Sequence, residues 1–294
     1  MLKKEKPNAD KRMLMIEVDS ENINKLDLSK VDLSRLWFNS SNINIKDNCV
    51  CIEPPFTYQI DDITASVLEG LDLSKVDFTG VNITGANLKN TKATIDPQKI
   101  LNNDLSRCNL EGLDLSKANF NDVCVEHANL KGTNAHIDPQ KVRKRSLIGC
   151  NLEGLDLSNV NLNFLYIFFA NLKGTNAHID PLKVFDQNLF GCNLEGLDLS
   201  EAHFTDVIIA YANLKGTNAH IDPQKIFSNN LRGCNLEGLD LSCADFTNVL
   251  LLDTNLKDTN AVIDADLINP DSDLDTCNLE GCTVLNNQVL KKTL

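Results

Sequence analysis

Aromatic side chains are scarce, only 5% of the 294 residues, although 42% of the chain is apolar. Any core must therefore be aliphatic. Cations are also in deficit: 28 Lys and Arg stand against 41 Asp and Glu, a net charge of -13. That balance excludes the basic footprint of a nucleic-acid or anionic-membrane binder, and it favours basic partners or simple solubility. No apolar run reaches the length of about 18 residues that crosses a bilayer. The only apolar run near the start, Met13–Ile16, is shorter than a signal-peptide core. The expectation is a soluble cytoplasmic protein; secretion as an effector, by a route without a signal peptide, would leave no mark here. No phosphate loop, nucleophile elbow or metalloprotease motif occurs. The chain is thus expected to be non-enzymatic, with no catalytic residue, cofactor or metal ligand.

What the chain has instead is repetition. Leu-Glu-Gly-Leu-Asp-Leu-Ser begins at Leu68, Leu110, Leu152, Leu194 and Leu236, 42 residues apart each time, and a decayed copy begins at Leu279. Ala-Asn-Leu-Lys begins at Ala86, Ala128, Ala170 and Ala212, and decays to Thr-Asn-Leu-Lys at Thr254. Such self-similarity marks a stacked-repeat architecture.

A shorter period runs inside each unit. Large apolar residues fall at Leu110, Leu115, Phe120, Val125 and Leu130, with Cys108, Leu113, Ala118, Val123 and Ala128 two places before them. Five is neither the 3.6 of a helix nor the 2 of a strand. A short strand that turns a corner every five residues satisfies both spacings, because alternation points the centre and the residue two before it inward. Four such sides make a coil of about 20 residues, and coils stack at roughly 4.8 Å. A unit of 42 is then two coils plus two residues. The centres slip by two at Ala93 to Ile95, Ala135 to Ile137, Ala177 to Ile179 and Ala219 to Ile221. The expectation is a small bulge there, with sequence Thr-Asn-Ala-His-Ile-Asp-Pro; Pro139, Pro181 and Pro223 suit a bulge or corner.

Ala-Asn-Leu-Lys-Gly (128–132) and Ala-Asn-Phe-Asn-Asp (118–122) resemble the motif of the pentapeptide-repeat family. The resemblance covers about residues 23–285, and the 42-residue double-coil unit is a variant of the uniform pattern. It implies an all-β fold, a right-handed quadrilateral parallel β-helix of about twelve coils, roughly 55–60 Å long. The domain reading is an N-terminal cap or flexible segment over 1–22, a degenerate first unit over 23–67, the β-helix over 68–285 and a tail over 286–294. Some family members carry a C-terminal dimerising helix; the stretch after Thr283 is too short for one, so a monomer or weak dimer is expected.

Recurrent polar residues are the candidate chemistry. Cys108, Cys150, Cys192, Cys234 and Cys277 share a register, but two coils separate neighbours by roughly 10 Å, beyond disulfide reach. They read as small buried hydrophobes in a reducing compartment. Cys49 and Cys51 form an isolated pair without a zinc partner pair. His136, His178 and His220 recur in the expected bulge, too far apart to share a metal. Asp114, Asp156, Asp198 and Asp240, with Asp72, point outward between inward residues. Together with Glu69, Glu111, Glu153, Glu195 and Glu237 they could form an acidic stripe. These three histidines and the aspartates 114, 156, 198 and 240 are the candidate partner-contact ridge. Arg143-Lys-Arg145 is the one basic cluster. Asn109, Asn129, Asn151 and Asn171 read as a stacked amide ladder.

The leading functional expectation is a non-enzymatic protein-binding scaffold with an acidic surface and a protein partner of unknown identity, without direct nucleic-acid or membrane binding. The resemblance implies two alternatives. One is a DNA mimic that occupies a type II topoisomerase and so protects or inhibits gyrase; residues 68–294 carry 30 acidic and 19 basic side chains. The other is the recognition module of a bacterial effector, as in ubiquitin-ligase-like proteins.

Overall fold

The structure, a computed structural model, describes residues 76–286 and, ahead of them, residues 64, 65, 68–70, 73 and 74. The expected cap over 1–22, nearly all of the degenerate first unit, Asp72, Cys49, Cys51 and the tail after Asn286 lie outside the described residues. The chain divides into two compact units, Met1–Ser146 and Leu147–Leu294, and both are built by the same local rules.

Each five-residue segment puts its centre and the residue two before it inside. In unit 1, Cys108, Leu110, Leu113, Leu115, Phe120, Val123, Val125, Ala128 and Leu130 are buried. In unit 2 the same holds for Cys192, Leu194, Leu197, Leu199, Phe204, Val207, Ile209, Ala212 and Leu214. One inward register is incomplete: Ala118, Val160, Ala202 and Ala244 are half-buried. Each corner closes by a backbone bond from the residue three beyond the centre, as in Leu113 N–H to Leu110 C=O at 3.0 Å and Leu197 N–H to Leu194 C=O at 3.0 Å. The corner residue before the returning strand takes a left-handed φ, which is why glycine recurs there (Gly112 at 77°, Gly196 at 75°).

Successive coils run parallel. In unit 1, Asn87 pairs with Asn109 and Asn109 with Asn129. In unit 2 the series is Asn151, Asn171, Asn193, Asn213, Asn235, Asn255 and Asn278. The steps alternate between 20 and 22 residues until the last, as two coils plus two residues requires. Nearly all pairing is by isolated bridges. Only β1 (Val262–Asp264) and β2 (Thr283–Leu285) extend to three residues, and they pair in parallel. A corner every five residues leaves room for little more than one ladder rung per side.

The two extra residues do not form the expected bulge. From Thr175 to Pro181 the chain is extended and alternates strictly: Thr175, Ala177, Ile179 and Pro181 are buried, while Asn176 and His178 are exposed. Thr133 to Pro139 and Thr217 to Pro223 behave alike. Two residues are one strand repeat, so they lengthen a straight side without changing which face is inside. The buried threonine at the start of each side spends its hydroxyl on the carbonyl three residues back, Thr175 Oγ1 to Leu172 O at 2.8 Å. The side ends in a proline turn. Asp180 accepts from the Leu182 N–H at 3.2 Å, Pro181 follows, and Lys183 pairs with Asp180 at 2.9 Å.

Candidate functional site

Outward side chains stand in columns, one residue per coil, and each column has its own chemistry. The asparagine column is the amide ladder expected from the sequence. Asn129 Nδ2 donates to Asn109 Oδ1 at 2.9 Å in unit 1, and Asn213 Nδ2 donates to Asn193 Oδ1 at 3.0 Å in unit 2. Asn171 to Asn151 and Asn255 to Asn235, both 2.9 Å, continue it. Each Oδ1 also accepts a backbone N–H two residues on, as Asn213 does from Lys215 at 3.1 Å.

Beside the ladder the expected glutamate stripe is corrected. Lysines of alternate coils stand between the glutamates: Lys89 reaches Glu111 at 3.1 Å, Lys173 reaches Glu195 at 2.9 Å and Lys215 reaches Glu237 at 3.0 Å. Asn129 and Asn213 donate to Glu111 and Glu195 at 3.2 and 3.3 Å. The lysine, then the asparagine, holds the Glu195 carboxyl below its ordinary value. Four-residue spacing in Leu-Glu-Gly-Leu had shown the glutamates; the interleaving lysines sit in the other shared string, Ala-Asn-Leu-Lys, and complete the column.

The structure brings the ridge candidates together on one face of each unit. Asp114 accepts from the Ser116 N–H at 3.1 Å and the Ser116 hydroxyl at 2.7 Å. Asp156 does the same with Ser158, and Asp198 with Ser200. Asp240 accepts from the Ser242 N–H at 3.1 Å. The next coil adds Asn218, which donates to Asp198 at 2.7 Å. Asn218, Ser200 and then His178 lower the Asp198 carboxyl, and Ser242 with His220 lowers that of Asp240. These aspartates are turn caps as much as surface charges. His136, His178 and His220 are exposed and, among the described residues, donate no hydrogen bond. No three His, Cys, Asp or Glu side chains converge as a metal site among the described residues.

The cysteine register is interior. Cys108, Cys150, Cys192 and Cys234 are buried and unbridged; Cys277 is half-buried. Cys192 and Cys234 Sγ each donate to a carbonyl 3.0 Å away, those of Ile167 and Ile209, and burial pushes both thiols up to about 12. Arg143 is not a free basic patch: its guanidinium donates to the carbonyls of Asn102 at 2.8 Å and Asp122 at 2.9 Å.

Sequence reasoning missed one surface. In unit 2 the few aromatics cluster outside the core. Phe169 and Phe190 rings meet at 5.2 Å, Phe190 and Tyr211 at 5.2 Å, and Arg232 lies 5.7 Å over Tyr211. Tyr166 stacks on Phe185 at 4.0 Å. The rings of Phe169 and Tyr211 occupy the space a side chain at Gly191 or Gly233 would need. The signal was present in Asn163-Phe-Leu-Tyr-Ile-Phe-Phe169 but hidden by the low overall aromatic content.

Eight copies of the pentapeptide-repeat model match residues 62–92, 102–134, 188–219 and 230–261. This is a pentapeptide-repeat protein. The repeat carries with it a right-handed β-helical solenoid, in accord with the parallel coil pairing. No curated protein matches the sequence. Among solved structures, HetL of the cyanobacterium Nostoc sp. strain PCC 7120, a pentapeptide repeat protein involved in heterocyst differentiation regulation, is 21% identical. That match covers 76% of this chain and 73% of HetL, with a TM-score of 0.15. Trypsin-treated QnrB1, a plasmid-mediated fluoroquinolone resistance protein, is 15% identical over 79% of this chain and 90% of its own, with a TM-score of 0.19. Likeness at this level says nothing of what this pentapeptide-repeat chain binds. Among the described residues no helix is long and apolar enough to cross a membrane.

Proposed function

We propose that the chain is a non-enzymatic protein-binding scaffold of the cytoplasm. On this reading it is a quadrilateral β-helix of about twelve coils over 68–285, preceded by a cap and a degenerate unit and followed by a short tail. The observation that carries it is the set of outward columns. The asparagine ladder and parallel bridges fix side chains at one-coil intervals, which gives a partner a regular surface to read. His136, His178 and His220, with Asp114, Asp156, Asp198 and Asp240, form one such surface. The histidines recur without a hydrogen bond to hold them, which suits contact with a partner. Unbridged buried cysteines support a reducing compartment. The net charge of -13 supports an acidic exterior and a basic partner.

The DNA-mimic alternative needs continuous negative columns in place of phosphates. The lysine–glutamate pairing interrupts one of the two candidates, so the scaffold reading is preferred. Affinity capture with the full chain, followed by titration of the purified partner, tests it. A saturable complex with a distinct protein is expected. If purified gyrase is the protein captured, and its supercoiling activity is inhibited, the mimic reading replaces the scaffold reading.

A further inference from the structure

Three aromatic residues of unit 2 occupy backbone positions that local sterics reserve for other residues. Phe164, Phe169 and Tyr211 have φ of 58°, 61° and 61°. A bulky side chain in this region is an outlier, and the left-handed conformation costs roughly 1–2 kcal/mol. At the counterparts of Phe164 the chain has Asp122, Asp206 and Asn248, all with positive φ. At those of Phe169 and Tyr211 within unit 2 it has Gly149, Gly191, Gly233 and Asp253. Stacking on Phe190 and Arg232 offsets the cost for two of the rings. Phe164 has no ring partner among the described residues and is 63% exposed.

These rings are outside the core. Phe169 is 52% exposed, Phe227 51%, Tyr211 42% and Phe185 38%. At about 200 Å² per aromatic side chain, the five leave roughly 500 Å² of apolar surface in water. That is near the top of what a typical monomer exposes in one patch, about 300–600 Å². The counterpart corners in unit 1 carry Ser106, Arg107, Glu126 and His127 instead, so the repeat itself does not demand aromatics.

The charges around the patch point to its occupant. Lys183 and Lys225 are already paired with Asp180 and Asp222 at 2.9 and 3.0 Å, and Arg232 lies over Tyr211. Asp186, Asp206 and Asp253, at the same corners as the rings, make no ion pair among the described residues. We propose that the aromatic face of unit 2 docks a basic, apolar protein segment, one presenting hydrophobic anchors with Lys or Arg between them. The rings receive the anchors and the three carboxylates receive the cations. This rests on the scaffold reading and names the surface and the partner chemistry.

Fluorescence anisotropy with the full chain tests it. The probes are a labelled amphipathic peptide of Leu and Lys, its Leu and Glu counterpart, and an oligothymidylate. The Leu/Lys peptide is expected to bind, more weakly as salt rises, and the other two are not. Phe164→Ser with Phe227→Ser should weaken binding at least ~tenfold with the far-ultraviolet spectrum unchanged; Asp186→Asn with Asp206→Asn should remove the salt dependence. Equal binding of both peptides, no binding of the Leu/Lys peptide, or binding of the oligonucleotide overturns the proposal. So does self-association in sedimentation that the Phe variants abolish, which would make a second copy the occupant. A captured partner that is lost on changing His178 and His220 but not the aromatics would leave the scaffold reading standing and sink this one.

Discussion

At the scale of single residues, the consensus is an inventory of structural tasks. Leucines and phenylalanines at every fifth place fill the interior, asparagine ties coil to coil, serine and aspartate close a corner, and buried threonine satisfies its own hydroxyl. Leu155 and Phe204 are both buried. Leu155→Asp and Phe204→Asp each strand an unpaired charge, at a cost of several kcal/mol. Thermal unfolding of either variant should lose its cooperative transition or fall steeply; an unchanged midpoint would contradict the inward assignment. The thiols give a second check. Cys243 is exposed, whereas Cys108, Cys192 and Cys234 are buried, with burial pushing their thiols up to about 12. Peptide mapping after brief treatment with a thiol reagent should find Cys243 modified and those three intact until denaturant is added.

At the scale of elements, the five-residue side was readable because both of its spacings are written in apolar residues. Even the slip after Ala135, Ala177 and Ala219 was visible. Its shape was not. A shift of two can be a protrusion or a longer strand, and only the burial of Pro139, Pro181 and Pro223 distinguishes them. The candidate ridge was legible in position but not in role, since the Ser and Asn partners of Asp114 and Asp198 come from a corner and from the next coil. The aromatic face was illegible because its members, from Phe164 to Phe227, lie at corners of different coils. The long side makes its own prediction. Deleting His178 alone inverts the alternation beyond it and should abolish cooperative unfolding. Deleting His178 with Ile179 keeps parity and should cost much less. Equal damage in a denaturant melt would argue against an extended side.

At the scale of the whole molecule, the acid excess is held in many small, similar interactions. Asp77, Asp114, Asp198, Asp240 and Asp245 are lowered chiefly by Ser, Thr or Asn donors. Glu111, Glu195 and Glu237 are lowered chiefly by lysines. A carboxylate depressed in the folded state stabilises it above the unfolded value, and that stability is lost as pH falls through the folded value. Each exposed group contributes little, but their number makes acid sensitivity a property of the whole chain. The unfolding midpoint should be flat near neutrality and drop below about pH 4; a chain equally stable at pH 3 would show that these contacts are not held in solution.

Everything rests on coils that alternate between 20 and 22 residues, and cross-linking reads that register directly. Asn193 faces Asn213, and Asn213 faces Asn235. Facing residues on parallel strands lie about 4.8 Å apart, within the reach of a disulfide. In the full chain, Asn193→Cys with Asn213→Cys, and Asn213→Cys with Asn235→Cys, should form disulfides under mild oxidation, as seen by mass spectrometry. Asn213→Cys should not link to a cysteine placed at Gly233, 20 residues on. A link from 213 to 233 in preference to 235 would show a uniform coil and contradict the alternating one.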